Sequence, residues 1–176
     1  MRGNQSSALL LLCAQAISTC ARAGDDRVEL FQEVTAANTS DLLSLREEAL
    51  RMQPGNGEWT ARSHTFVFPW KLIEDDPLRL ASLPLQITFF DGVVCKNVVT
   101  THIEQSGDYW QWVAYCEGTS NGLSMSIGPK DHTLSGSVYL YDEPRDSTIR
   151  SIGSNWGIIY QIDPAKAPES FQSRPR

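Results

Sequence analysis

The sequence predicts an α+β, mainly β fold: an antiparallel meander, curled into a sandwich or half-barrel, with one N-terminal helix packed on it. Three observations carry that prediction. From residue 65 onward apolar residues recur with a period of two. Glycine, proline, asparagine and aspartate punctuate these runs at intervals of about eight to twelve residues, the rhythm of short paired strands. Only one stretch has helical spacing, and a chain of 176 residues with 41% hydrophobic side chains is enough for one well-filled core.

The elements follow in order. Residues 27–34 alternate at Val28 and Leu30 well enough for a strand, yet also fit a poor helix. Thr39 or Ser40 caps the one helix, Asp41 favours its first turn, and Leu42, Leu45, Ala49 and Leu50 form its apolar side until Pro54 and Gly55 end it after about three turns. Residues 65–70 make a short apolar strand ended by Pro69. Residues 85–90 and 93–99 flank Asp91–Gly92, the strongest hairpin signal in the chain. Strands follow at 109–116, 123–127, 134–141, 147–152 and 157–162, with turns at Gly128–Asp131 and Gly153–Asn155. The chain divides into residues 1–23, a single domain at 24–163, and a proline-bearing tail at 164–176 that is expected to be solvated.

Residues 1–23 have the form of an export signal: Arg2, then an apolar stretch holding Leu9 to Leu12, then Ala21-Arg22-Ala23. The apolar run is about ten residues, half the about twenty that span a bilayer. The expected location is therefore secreted, periplasmic or extracellular, with no membrane span after removal of the signal. A lipoprotein is the weaker alternative, since Cys20 follows Thr19 and Cys13 follows Leu12. Cleavage after Ala23 leaves 13 of the 15 basic side chains against 21 acidic ones, a net charge of −8. No basic field exists to hold nucleic acid or an anionic lipid surface. Cleavage also leaves Cys95 and Cys116 in an oxidising compartment, where they are expected to form a disulfide. A zinc site is the alternative, but these two cysteines lack neighbouring ligands at metal-binding spacing.

No local constellation places a nucleophile beside a base. His64, His102 and His132 each stand alone in their segments, with no His-Glu-x-x-His, no Gly-x-Ser-x-Gly and no phosphate loop. Neither enzymatic activity nor a cofactor or metal is expected. The acidic runs at Asp25–Asp26, Glu74–Asp76 and Asp142–Glu143 lack the spacing of a calcium loop and read as solvated surface. Five tryptophans remain: Trp59, Trp70, Trp110, Trp112 and Trp156. Trp110 and Trp112, two apart in one strand, share a face. That face is either core or an aromatic platform for a carbohydrate or polypeptide, because the opposite face, Tyr109, Gln111, Val113 and Tyr115, is itself only half polar.

Residues 107–168 carry a resemblance. The run Trp110-Gln111-Trp112-Val113, then Glu117-Gly118, Leu123 to Ile127, Leu134 to Leu140 with Gly136, Ser147 to Arg150, and Ile158 to Ile162 before Asp163-Pro164 resembles the closing portion of the propeptide region of secreted zinc metallopeptidases. The helix with Leu42 and Leu45, and Phe66 to Trp70 after it, lie in the corresponding order. The resemblance implies a propeptide-like domain that binds a secreted metallopeptidase as inhibitor or folding aid. It is expected to differ from such precursors in standing without the catalytic domain that follows there, and no lone thiol in an extended segment is placed to cap a zinc ion. A free-standing surface module using Trp110 and Trp112 is the alternative.

Overall fold

The alternating runs pair with their neighbours in sequence. In a computed structural model that describes residues 26–34, 42–141, 143, 147–153 and 155–168, six consecutive strands form an antiparallel meander: β6 (Val98–Ser106), β7 (Tyr109–Cys116), β8 (Gly122–Gly128), β9 (Thr133–Tyr139), β10 (Ser147–Ile152) and β11 (Trp156–Ile162). Beyond β11, β3 (Thr60–Val67) and the dipeptide β2 (Gln32–Glu33) complete an eight-stranded sheet in the order β2-β3-β11-β10-β9-β8-β7-β6. A three-stranded sheet of β1 (Val28–Glu29), β4 (Leu85–Phe90) and β5 (Val93–Cys95) packs on its inner face. The protein is thus α+β and mainly β, a meander built into an open sandwich. The expected export signal, the expected helix-capping residues Thr39 and Ser40, and residues 169–176 lie outside the described residues.

Several boundaries differ from the sequence expectation, each for a local reason. Residues 93–99 are not one strand: β5 pairs with β4 only as far as Cys95, and β6 then belongs to the other sheet. The 27–34 segment is two dipeptide strands separated by Leu30 and Phe31, which are both buried as the chain crosses between sheets, so neither period shows. β1 joins β4 in parallel, with Val28 opposite Leu85. The Glu29 carboxylate fixes that contact by accepting from the Thr88 backbone N–H and from Gln86 Nε2, each at 2.9 Å. β3 begins earlier than its apolar signal because its inward positions near the start are Arg62 and His64. Arg62 places its guanidinium over the Phe90 ring at 4.0 Å and pairs with Glu143, so this half of the acidic run at Asp142–Glu143 is a structural partner.

The main core lies between the sheets, around Phe31, Phe66, Ile87, Phe89, Trp112 and Met125. A second cluster lies on the outer face of the large sheet, where α1 (Leu42–Met52) lays Leu45 and Ala49 on Ile152, Ile158 and Tyr160. Leu50, expected on the apolar side, is 49% exposed. It sits five residues beyond Leu45 and so points well away from it, whereas Ala49, four beyond, shares its face. Within the segment expected to be a solvated tail, the Ala167 N–H bonds to the Asp163 carbonyl and Ala167 is buried.

Cys95 and Cys116 are disulfide-bonded, with Cα atoms 5.4 Å apart. The bond joins β5 of the small sheet to β7 of the large one, tying the layers together where the chain has just passed between them. No described helix is long and apolar enough to cross a membrane.

Candidate functional site

Alternation along β7 decides the fate of its tryptophans. Trp112 faces inward at 0% exposure, and its Nε1 donates to Thr100 Oγ1 at 2.9 Å. Trp110 is half-buried and packs against the same core. Of the two readings open for Trp110 and Trp112, core or aromatic platform, their packing is that of core, and the more exposed aromatics of β7 stand on its opposite side. There Tyr109 is 44% and Tyr115 42% exposed.

Register carries this face across the meander. Tyr115 stands opposite Gly122, and Gly122 opposite Tyr139, which is 49% exposed. Directly paired residues point to the same side of a sheet, so the row runs Tyr115, Gly122, Tyr139. The next row is Val113, Ser124 and Ser137, and the one after it Gln111, Ser126 and Ser135, with Gln111 Nε2 donating to Ser126 Oγ at 3.1 Å. Tyr109 closes the far end: its Cε1 lies 2.9 Å from where a Cβ on Gly128 would stand. The result is a field of hydroxyl and amide groups around Val113, uncharged across β7, β8 and β9, with tyrosines at both ends and a cavity of about 310 Å³ beside Tyr109, lined by Ser126, Thr133, Leu134 and Ser135. On β6, His102 and Glu104 form its rim, 3.5 Å apart and both exposed. Over β10 and β11 the same sheet face is covered by α1; over β6 to β9 no described element covers it.

Two cavities lie elsewhere. Trp70, Trp156, Phe68 and Pro69 line one of about 420 Å³, with His132 and Glu74 at its side. His132, in the β8–β9 turn at φ 52°, stacks on Trp70 at 4.8 Å between centroids and bonds Glu74 at 3.1 Å. Glu74, expected to be merely solvated, is thus tied to a turn 58 residues away. The second, about 570 Å³, opens between the sheets beside Glu29, Glu33, His64, Thr88 and Asp91. Burial holds the His64 imidazole below its ordinary pKa, against the opposing pull of Asp91, Glu29 and Glu33. Glu29 is already used to fix β1 on β4. Among the described residues no three His, Cys, Asp or Glu side chains converge as metal ligands.

Sequence reasoning paired Cys95 with Cys116 and pointed to β7, but did not single out Tyr139 or Gly122. Their signal was present in the alternation of β8 and β9; their alignment with Tyr115 needed the hairpin registers. No protein-family model matches this chain, and neither a curated protein nor a solved structure shows significant similarity to it.

Proposed function

We propose that the protein is a non-enzymatic binding protein of an oxidising compartment, engaging a segment of a partner polypeptide on the outer face of β6 to β9. The observation that carries this reading is the half of the outer face left uncovered, with Tyr109, Tyr115 and Tyr139 exposed among Ser124, Ser126, Ser135 and Ser137. Tyrosine gives large, rigid, amphipathic contact area at low entropic cost, and serine and glycine adapt hydrogen bonds around it; protein-binding surfaces use this composition. The cross-sheet disulfide supports an exported location. The propeptide resemblance makes a secreted zinc metallopeptidase the first partner to test, as target of an inhibitor or client of a folding aid.

The test is to add the folded chain to a panel of secreted zinc endopeptidases, measuring both association and peptide hydrolysis, beside a Tyr115→Ser/Tyr139→Ser double variant. Association that weakens at least 10-fold in the variant is the expected result. No association with any peptidase, together with glycan binding that the double variant abolishes, would replace the polypeptide by a carbohydrate as the ligand of this face.

A further inference from the structure

We infer that the cavity walled by Phe68, Pro69, Trp70 and Trp156 is a site for a free apolar α-amino acid, its side chain among these rings and its carboxylate and ammonium on Lys71 and Glu74. This goes beyond the polypeptide-binding reading and does not rest on it, since none of the three tyrosines of the outer face lines this cavity.

Backbone bonds hold the sides of the cavity in place. A single 3₁₀ turn, Trp70–Leu72, follows β3. The Phe68 N–H bonds to the Asn155 carbonyl at 3.1 Å, and the Glu74 N–H to the Trp70 carbonyl at 2.9 Å. The end of β3, the turn before β11 and Glu74 thus keep fixed positions around one space of about 420 Å³. His132 joins them from a left-handed backbone, φ 52°, which is unfavourable for a residue with a side chain. Its stack on Trp70 and its bond to Glu74 hold it there. Backbone strain retained under such constraint gathers at ligand sites.

Two opposite charges line this cavity without meeting. Glu74 Oε1 is engaged by His132 Nε2 at 3.1 Å, whereas its other oxygen and the Lys71 ammonium have no partner among the described residues. Trp70, 4% exposed, adds an indole N–H without an acceptor. A plain hydrocarbon covering the mouth would take both charges out of water with nothing in return. An apolar anion would meet Glu74 and an apolar cation Lys71, each repelled by its like charge. A zwitterion suits both. An α-amino acid carries its two charges on one carbon, beside a side chain that the aromatic wall can take. The volume is at the small end of ligand cavities, about 300–1,000 Å³, which suits a single residue better than a length of chain. An aromatic side chain is favoured, because Trp156 is only partly buried and offers its ring.

The experiment is a titration of the ¹⁵N-labelled full chain with L-phenylalanine, with 3-phenylpropionate, which lacks the ammonium, and with 2-phenylethylamine, which lacks the carboxylate. A ligand of this size in an open cavity is expected to bind with a Kd on the order of 1 mM. Saturable shifts should centre on residues 68–74, 132 and 155–156 and on the indole N–H signals of Trp70 and Trp156. An exposed charge contact contributes a factor of about 2–5, so both analogues should bind more weakly by that factor. Lys71→Gln should remove the advantage of L-phenylalanine over the amine. Glu74→Gln, which keeps a hydrogen-bonding group for His132, should remove its advantage over the propionate. No saturable shift by about 10 mM, shifts scattered over the surface, or unchanged discrimination in both variants would overturn the site. An analogue that binds as tightly as the free amino acid would overturn it too, because one charge or none would then suffice. The analogue series needs no variant, so a variant that fails to fold leaves the test intact, and its outcome is independent of the peptidase panel.

Discussion

Gly157→Ala tests the packing between β3 and β11 on which the two-layer arrangement depends. Gly157 is paired with Phe66, and a Cβ there would lie 2.2 Å from Phe66 Cζ and 2.5 Å from Cε2. Phe66 cannot withdraw freely: it is fully buried and stacked on Phe31 at 4.1 Å between centroids. Overpacking of a tight core costs about 1–3 kcal/mol, and three aromatic carbons closer than van der Waals contact place this case near the upper end. At about 2–4 °C per kcal/mol for a domain of this size, a loss of about 3 kcal/mol lowers Tm by about 6–12 °C. Thermal and urea unfolding of wild type, Gly157→Ala, Phe66→Leu and the double variant measure it. Leucine shortens the obstructing side chain, so the alanine penalty in the Phe66→Leu background should fall by at least about 1 kcal/mol. A single variant within about 0.5 kcal/mol of wild type, or strictly additive effects, would refute the geometry.

Three further outcomes follow from the same structure. Replacing Cys95 and Cys116 by serine, or reducing the bond that spans a separation of 21 residues, should lower stability by about 3 kcal/mol, while the untreated chain should show no reactive thiol at either position. His64 has its folded pKa lowered from 6.5 by burial, so below that pH the unfolded chain binds more protons than the folded one. Stability conferred by a neutral His64 is therefore complete above about pH 6.5 and lost as pH falls toward the folded value; the urea midpoint should drop less between pH 7.5 and 5.5 in His64→Gln than in wild type, and an identical drop would exclude this origin. Glu143→Ala removes an acceptor shared by Arg62 and Gln161 and should cost about 1–2 kcal/mol in urea unfolding, the partial exposure of the pair limiting the effect.

The meander was legible because its signal is local. Leu123, Met125 and Ile127 alternate with Ser124 and Ser126, and β4, β7 and β10 lie where period and turn residues place them. What escaped the sequence is non-local. Lys96 and Asn97 look like the middle of a strand, and only the competition between two sheets shows that the chain changes layers there. At β3 the inward Arg62 and His64 hide the pattern, because their partners, Phe90 and Glu143 for Arg62 and the cleft around Asp91 for His64, come from distant segments. Trp112 shows the same limit: both faces of its strand carry aromatic residues, and only the small sheet beneath it decides which face is core.

That choice of face also explains where the proposed binding surface falls. β11 carries apolar side chains on both sides, Ile159 inward and Ile158 and Tyr160 outward, so its outer side needs a cover, which α1 supplies. β8 and β9 carry serines outward and need none. Had Tyr115 and Tyr139 been required only for stability, extending the cover over them would have removed exposed aromatic area from water, and the 11-residue α1 instead packs on β10 and β11. Their exposure is therefore tied to the division of labour along the sheet, and a variant that moves apolar residues onto Ser124 and Ser137 should bury the tyrosine row in self-association instead of strengthening the fold. Sedimentation of Ser124→Val/Ser137→Val checks this: a monomer more stable than wild type would mean that the face is merely unfinished core, whereas a dimer at unchanged monomer stability fits a surface kept polar for a partner.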